Sequence, residues 1–515
     1  MNLTVLAMAA LAAFVQVADD EFIRVAPDNW HFVGARTGEK FIPFGTNFVF
    51  ADKKYLNLFA PGIYDRELYE RALSSLEALG FNIVKVFLPI ADVLPDPQRP
   101  GQINIAPGYL DNLADFLELA RRHHIRVVVA LASWGGNTIK WWHEGGEYFG
   151  RRPWRNDDGI DSLDVLRRFW AKLCGRFRDD PTVFAWTPAV EWSLPNANLT
   201  WIHPKKQWGR LETEPGLWYW RAFLRARYED DITRLNEAYG TDYRDFSEVS
   251  IVDFTWLPAE RRYADPDAKV LDYQNFREWA SMRYLRPQIE AMRAADPNHM
   301  VTISNHSRRA IGLWPGAARY FIGFEVPEQS ELVDYLTTHN NVSESKLKPG
   351  QDIEYVVHAA ILRTRFCNAA KIMPVMIEEF TYGAPDPQRV AECQAEMVLG
   401  TVGHAMGWMN WYMQYPLKPN RADTPPQDRS AILNLDFSPT PWGLRAKRLI
   451  GELAHKDLAR KPPATIMSLD RAACLVPKSM GPLLVIAGEW DKYEHPIDFD
   501  WPRNEFIDLK LIEER

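Results

Sequence analysis

Pro374-Val-Met-Ile-Glu-Glu-Phe-Thr-Tyr-Gly383 is the stretch on which the reading of this chain turns. Val375 to Ile377 is a short apolar run of the kind that forms a buried strand. It stops at two carboxylates, an aromatic residue and a glycine-containing turn. A carboxylate at the C-terminal end of a buried parallel strand lies at the mouth of a barrel, where barrel enzymes keep their chemistry. Glu379 is therefore the first candidate site residue. Adjacent strand residues point to opposite sides, so Glu378 is expected to face away from the cavity.

Working outward, strand and helix patterns alternate. Strands are predicted at Phe44–Phe48, with Asn47 at the end, Asn82–Leu88, Ile125–Leu131, Val183–Ala189, Met300–Ser304, Leu332–Thr338, Val375 into Glu379, and Gly407–Met413. Helical spacing occupies Tyr64–Leu79, stopped by Gly80, then Tyr109–His124, Asp161–Arg178, Val270–Ala295, Asp352–Ala369, Arg389–Met406 and Pro441–Leu453. Eight apolar strands interleaved with helices predict an α/β fold, a (β/α)8 TIM barrel spanning 19–458. Short strands at Phe22–Val25, His31–Val33 and Lys40–Ile42 would close its bottom. Residues 194–268 are too long for a structureless loop, so an ordered insertion after strand four is expected. From 459 to 515 the pattern becomes short strands (464–469, 472–476 and 483–486), a small C-terminal β domain.

At 46% hydrophobic and 25% charged, the 515-residue chain can bury a large core. A net charge of -8 argues against nucleic acid as a partner, because phosphate binding needs clustered Lys and Arg. The 20 Trp residues suit sugar stacking as well as core packing. Residues 1–18, with the apolar run Val5–Val15 and a small residue at Ala18, are expected to be a signal peptide, which makes the protein secreted or periplasmic. No later run is long enough to span a membrane. Cys174, Cys367, Cys393 and Cys474 form no C-x-x-C pair, and their spacing allows at most two disulfides, Cys367 with Cys393 being one pairing to consider.

Glu191 follows strand four as Glu379 follows strand seven, so both are expected at one face of the barrel. Two carboxyl groups about 5–5.5 Å apart are what retaining glycoside hydrolysis requires, one as nucleophile and one as acid then base. No His, Cys or Asp cluster has ligand spacing, so neither a metal nor an organic cofactor is implied.

Several stretches resemble the clan A glycoside hydrolases. Phe41-Ile-Pro-Phe-Gly-Thr-Asn47, Gly80-Phe-Asn-Ile-Val-Lys-Val-Phe87, Arg176-Phe-Arg-Asp-Asp-Pro181 with Glu191, Pro374–Gly383 and Gly407-Trp-Met-Asn-Trp411 resemble successive strands of family 5. Val333-Asp-Tyr-Leu-Thr-Thr-His339 is similar to the sixth strand of its mannanases. Leu224–Tyr228, Leu235-Asn-Glu-Ala-Tyr-Gly-Thr241 and Asp272-Tyr-Gln-Asn-Phe276 in and after the insertion resemble family 42 β-galactosidases.

The resemblance implies an exported retaining β-glycoside hydrolase acting on a plant- or alga-type polysaccharide or its oligosaccharides, β-mannan first and β-galactosides second. Glu379 would be the nucleophile and Glu191 the acid/base. Trp411 would stack beneath the sugar, and His339 would bond a hydroxyl or orient a carboxylate. Trp134 and Trp141 would line outer subsites; Asn47, Lys85 and Asn341 complete the candidate substrate contacts. Three positions depart from the pattern. Val190 stands where the family has an Asn that bonds the 2-hydroxyl, Lys85 where it has Arg, and Asn341 where it has Tyr. These departures keep open an alternative, a degenerate barrel that binds carbohydrate without hydrolysis.

Overall fold

The computed structural model describes residues 17–51, 57–132, 160–190, 214–250, 268–305, 326–347, 352–368, 371–414, 430–461, 465–470 and 507–512. Strands β1 (Ile23–Val25), β2 (Phe32–Gly34) and β3 (Lys40–Phe41) form a small antiparallel sheet. Phe32 meets the rings of Phe184 at 5.3 Å and Tyr335 at 5.4 Å, edge to face. Those rings lie at the amino ends of main-sheet strands, so the small sheet covers that end.

The main sheet has eight parallel strands: β4 (Phe44–Asn47), β5 (Ile83–Pro89), β6 (Arg126–Ala132), β7 (Val183–Thr187), β8 (Met300–Val301), β9 (Leu336–Ser343), β10 (Val375–Gly383) and β11 (Gly407–Asn410). Their order is β8-β7-β6-β5-β4-β11-β10-β9. Every residue of β5 and β6 is buried, as expected of a sheet covered on both faces. Close approach fixes one residue type: a Cβ at Gly45 would lie 2.0 Å from the Ile83 carbonyl oxygen.

The sheet curls until its edges meet. Asp334 N donates to Val301 O (2.9 Å), Thr302 Oγ1 to Tyr335 O (2.7 Å) and Asn305 N to Thr337 Oγ1 (2.9 Å). This seam explains why β9 runs 336–343 and not the expected 332–338, where residues 326–332 are helical. Thr337 to Asn340 are too polar to read as a buried strand, yet they are buried, and Thr337 is spent on the seam.

Around the sheet lie α1 (Arg66–Ala78), α2 (Tyr109–Arg122), α3 (Ser162–Phe177), α4 (Glu214–Arg227), α5 (Ile232–Tyr239), α6 (Ala268–Ala295), α7 (Val326–Leu332), α8 (Ile353–Cys367), α9 (Pro387–Gly400) and α10 (Pro441–Leu453). Asp65, Asp161, Asp231, Asp386 and Thr440 cap the N-termini of α1, α3, α5, α9 and α10 with side-chain oxygens on free backbone N–H groups. Helix α9 ends at Gly400, short of the expected Met406. Thr401 Oγ1 bonds back to Met397 O, and Gly403 (φ +80°) turns the chain toward β11.

The three stretches likened to family 42 meet around one buried carboxylate. Asp272 Oδ2 accepts from Tyr228 Oη (2.6 Å) and Tyr239 Oη (2.8 Å), and Arg227 pairs with Oδ1. Burial first, with the Asp272 charge beside them, pushes both phenol pKa values up. Asp272 thus ties α4 and α5 to α6. Asp272→Asn should cost about 2 kcal/mol, because two charge-assisted hydrogen bonds become neutral ones. Limited proteolysis should then cut first within 214–250; an unchanged cleavage rate there would contradict this role.

His404 is buried in the turn before β11, and burial first, then Arg365, Lys461 and Arg460, push its pKa down to about 2. The unfolded chain takes up this proton near pH 6.5 and the folded one does not. The stability His404 allows is therefore full above pH 6.5 and is lost as pH falls from there toward 2. The loss should approach about 1.4 kcal/mol per pH unit from this group. His404→Asn should flatten the acid limb of a denaturation-versus-pH curve by one proton.

Cys174, Cys367 and Cys393 are free buried thiols, so the Cys367–Cys393 disulfide does not form. Burial pushes Cys367 up to about 12, which makes it inert. Cys474 lies outside the described residues. Toward the C-terminus β12 (Thr465–Asp470) and β13 (Ile507–Ile512) pair in parallel. The strands expected at 472–476 and 483–486 lie outside the described residues, as do residues 1–16. Among the described residues no helix is long and apolar enough to cross a membrane.

Candidate active site

The site begins with a slip in register. Along β9 and β10, Ile377 pairs with Thr338 but Glu379 with His339, leaving Glu378 as an extra residue. On the other side Ile377 pairs with Trp408 and Phe380 with Asn410, so the excess persists there. A bulge of this kind breaks the alternation of side chains and twists the strand locally. Glu378 consequently does not point away from its neighbour. Lys85 Nζ lies 3.1 Å from Glu378 Oε2 and 3.8 Å from Glu379 Oε1, with all three residues buried.

Asn47 clamps the bulge. Its Nδ2 donates to the Glu378 carbonyl (3.1 Å) and to the Asn410 carbonyl (3.0 Å). Its amide hydrogens are thus committed to the backbone, a different use from the substrate contact read from sequence. Asn410 continues the scaffold, donating to Tyr412 O and Ser430 O.

His339 and Ser304 complete a buried polar set. His339 Nδ1 sits 3.2 Å from Glu379 Oε2, and its Nε2 is 3.1 Å from Ser304 Oγ. Lys85 Nζ donates to Ser304 Oγ at 2.8 Å. The Tyr335 phenol is held well above its ordinary pKa, first by burial and then by the charge of Glu378. The sequence shows no sign of Ser304's part. It lies in no motif, and a serine closing a short apolar strand looks like any strand end.

Beside the polar set is an apolar wall. Val49, Phe87, Ala130, Ala132 and Val190 cluster, with Trp411 and Tyr412 packed against them. Phe87 and Trp411 meet edge to face at 6.0 Å. Trp411 is half-buried. Val190 is fully buried and bridged to Ser304, which puts an aliphatic side chain where the family resemblance leads one to expect an amide. Asn341 is exposed on β9, its Oδ1 accepting from Thr381 Oγ1 (3.1 Å). Glu191, Trp134 and Trp141 lie outside the described residues. Among the described residues no group of three or more His, Cys, Asp or Glu is placed to hold a metal.

The geometry can do one thing well. It holds a buried carboxylate, Glu379, in fixed orientation between a cation and an imidazole, next to an aromatic and aliphatic surface. That is a setting for charge developing on a reacting carbon, with an apolar face for the rest of the molecule.

Residues 163–348 match the model of glycoside hydrolase family 42, β-galactosidase. No curated protein matches the chain by sequence. Among solved structures, the chain is similar to a subfamily 18 enzyme of glycoside hydrolase family 5 from Streptomyces cattleya in complex with Manβ1-4GlcNAc. That match has 15% identity and a TM-score of 0.57, and covers 92% of this chain and 94% of that one. A subfamily 18 enzyme from Bifidobacterium longum, also in complex with Manβ1-4GlcNAc, matches at 13% identity and TM-score 0.57, over 92% and 91%. A family 42 β-galactosidase from G. stearothermophilus matches at 12% identity and TM-score 0.62, over 92% and 65%. The middle of the sequence thus matches the family 42 model, and the fold is shared with family 5 and family 42 enzymes over nine-tenths of this chain.

Proposed function

We propose that the chain is a (β/α)8-barrel retaining β-glycosidase that cleaves short β-linked oligosaccharides, β-mannosides before β-galactosides. The observation that carries this reading is Glu379, buried on the bulged strand with His339 Nδ1 at 3.2 Å and Lys85 Nζ at 3.8 Å. In this reading Glu379 attacks the anomeric carbon, and Glu191 gives a proton to the departing oxygen. Water then attacks the anomeric carbon of the glycosyl–enzyme ester while Glu191 takes a proton from that water, releasing the Glu379 carboxylate. Trp411 offers its accessible face to the sugar ring.

The substrate ranking is supported by length. The chain spans 94% of the subfamily 18 neighbour crystallised with Manβ1-4GlcNAc but 65% of the β-galactosidase neighbour. Residues 1–18 are proposed as a leader for export, tested by whether protein recovered outside the cell begins at Asp19.

The test is to incubate the protein with aryl β-mannoside, aryl β-galactoside and Manβ1-4GlcNAc and follow the first-formed anomer by proton NMR. β-Mannose appearing first supports the reading; α-mannose appearing first overturns retention. The buried Val190 favours a second reading, a barrel that binds sugar without turnover. Calorimetric binding with no product from any of the three would establish that reading instead.

A further inference from the structure

Four groups inside the site form a chain with a direction. Lys85 Nζ, Ser304 Oγ, His339 and Glu379 follow one another at 2.8, 3.1 and 3.2 Å. An ammonium has donors and no acceptor, so the Lys85–Ser304 bond must run from nitrogen to oxygen. Ser304 then has its own hydroxyl hydrogen left to give. The imidazole Nε2 stands 3.1 Å away and accepts it. A nitrogen that accepts carries no proton, so the neutral ring carries its proton on Nδ1, where it donates to Glu379 Oε2. The other neutral tautomer would set a bare Nδ1 against the Glu379 carboxylate, two acceptors facing each other.

We propose that Ser304 is a positioning residue for the glycosidase reaction. It converts the fixed donor Lys85 into a fixed tautomer of His339, neutral with Nδ1–H on Glu379. Among the described residues the charged groups linked to His339 through these contacts are Glu379 directly, and Lys85 from β5 and Glu378 from β10 behind it. Without the Ser304 hydroxyl, Nε2 loses that hydrogen bond, and the Glu379 carboxylate at Nδ1 favours a second proton on the ring. A doubly protonated His339 would hold Glu379 in an ion pair and reduce its power to attack. Ser304 thus keeps the ring from competing with the substrate for the carboxylate. The catalytic consequence rests on the function proposed above; the tautomer does not.

The test reads the tautomer directly, without substrate. Long-range nitrogen–proton NMR spectra of the full-length protein, labelled at its 12 histidines, give each ring's protonation pattern. His339→Gln identifies the relevant signal. In the wild type that ring should show the Nδ1–H pattern unchanged from about pH 5 to 8. Ser304→Ala should make it titrate within that range or mix tautomers, and Ser304→Thr, which keeps a hydroxyl, should restore the wild-type pattern. If the protein is active, the acid limb of kcat/KM should move up by about one pH unit in Ser304→Ala and not in Ser304→Thr. An Nε2–H pattern in the wild type overturns the proposal, even if Ser304→Ala fails to fold. So does a Ser304→Ala ring that neither titrates nor changes tautomer. A wild type with the predicted tautomer and no hydrolysis would refute the function and leave the positioning intact.

Discussion

Glu379→Gln should lower turnover of an aryl β-mannoside by roughly a thousand-fold or more, while Glu378→Gln should leave most of it. The contrast is demanding because the two side chains are neighbours in sequence and both reach Lys85. They differ in what else holds them. Glu379 takes a bond from His339 Nδ1, and Glu378 is gripped through its carbonyl by Asn47 and through Oε2 by Lys85. The second carboxylate is built into the floor; the first is aimed. A covalent role for Glu379 makes a further demand. In Glu379→Ala, added azide should restore cleavage of an activated substrate and give a glycosyl azide of inverted configuration, since a small anion then enters from the vacated face. Rescue in Glu378→Ala with none in Glu379→Ala would move the nucleophile one residue back. Equal rates in wild type and Glu379→Gln would end the hydrolase reading built on this residue.

The sequence carries the architecture through periodicity and very little of the site's inner wiring. Apolar runs such as Val127–Val129 and Val375–Ile377 announce strands because a sheet covered on both faces admits little else. Helix starts are legible because a cap needs a short polar side chain, as at Asp161 and Asp231. The sixth strand begins four residues later than its apolar pattern predicts because its residues are polar; the Thr337 hydroxyl is satisfied at the seam, donating to Ile303 O and accepting from Asn305 N. The orientation of Glu378 is hidden in the sequence for a related reason. Alternation is a rule for regular ladders, and one inserted residue cancels it without leaving a mark in composition. Asn47 ends a strand at the mouth, where a ligand contact is expected, and the bulge gives its amide nitrogen a backbone task that the sequence does not announce. Resemblance found Glu379, His339 and Lys85 as separate positions. That Ser304 links two of them is a fact of distance, which no spacing along the chain encodes.

Lys85→Met should lower the unfolding free energy by about 3–5 kcal/mol. The lysine is fully buried and touches two carboxylates, so its loss leaves acidic charge in the interior with its cation gone. Among the described residues Glu378 Oε1 has no hydrogen-bond partner, which makes Glu378 depend heavily on the ammonium at Oε2. The cost is that of the stranded partner more than the worth of the pair. The companion change should therefore relieve it. Lys85→Met combined with Glu378→Leu removes the cation and the carboxylate that most needs it, replacing both with apolar groups of similar size. That pair should recover most of the stability, giving a coupling of roughly 2–3 kcal/mol in a double-mutant cycle read from urea denaturation. Recovery should stop short of complete, because Glu379 remains 3.8 Å from the lost ammonium position and Ser304 loses its donor. The doubly changed protein should be folded and inactive, which separates the role of Lys85 in holding the floor together from its role in orienting the chain of bonds to Glu379. If Lys85→Met alone unfolded at the wild-type urea midpoint, the two carboxylates would have to be compensated by some other group, and the charge balance assigned to this floor would be wrong.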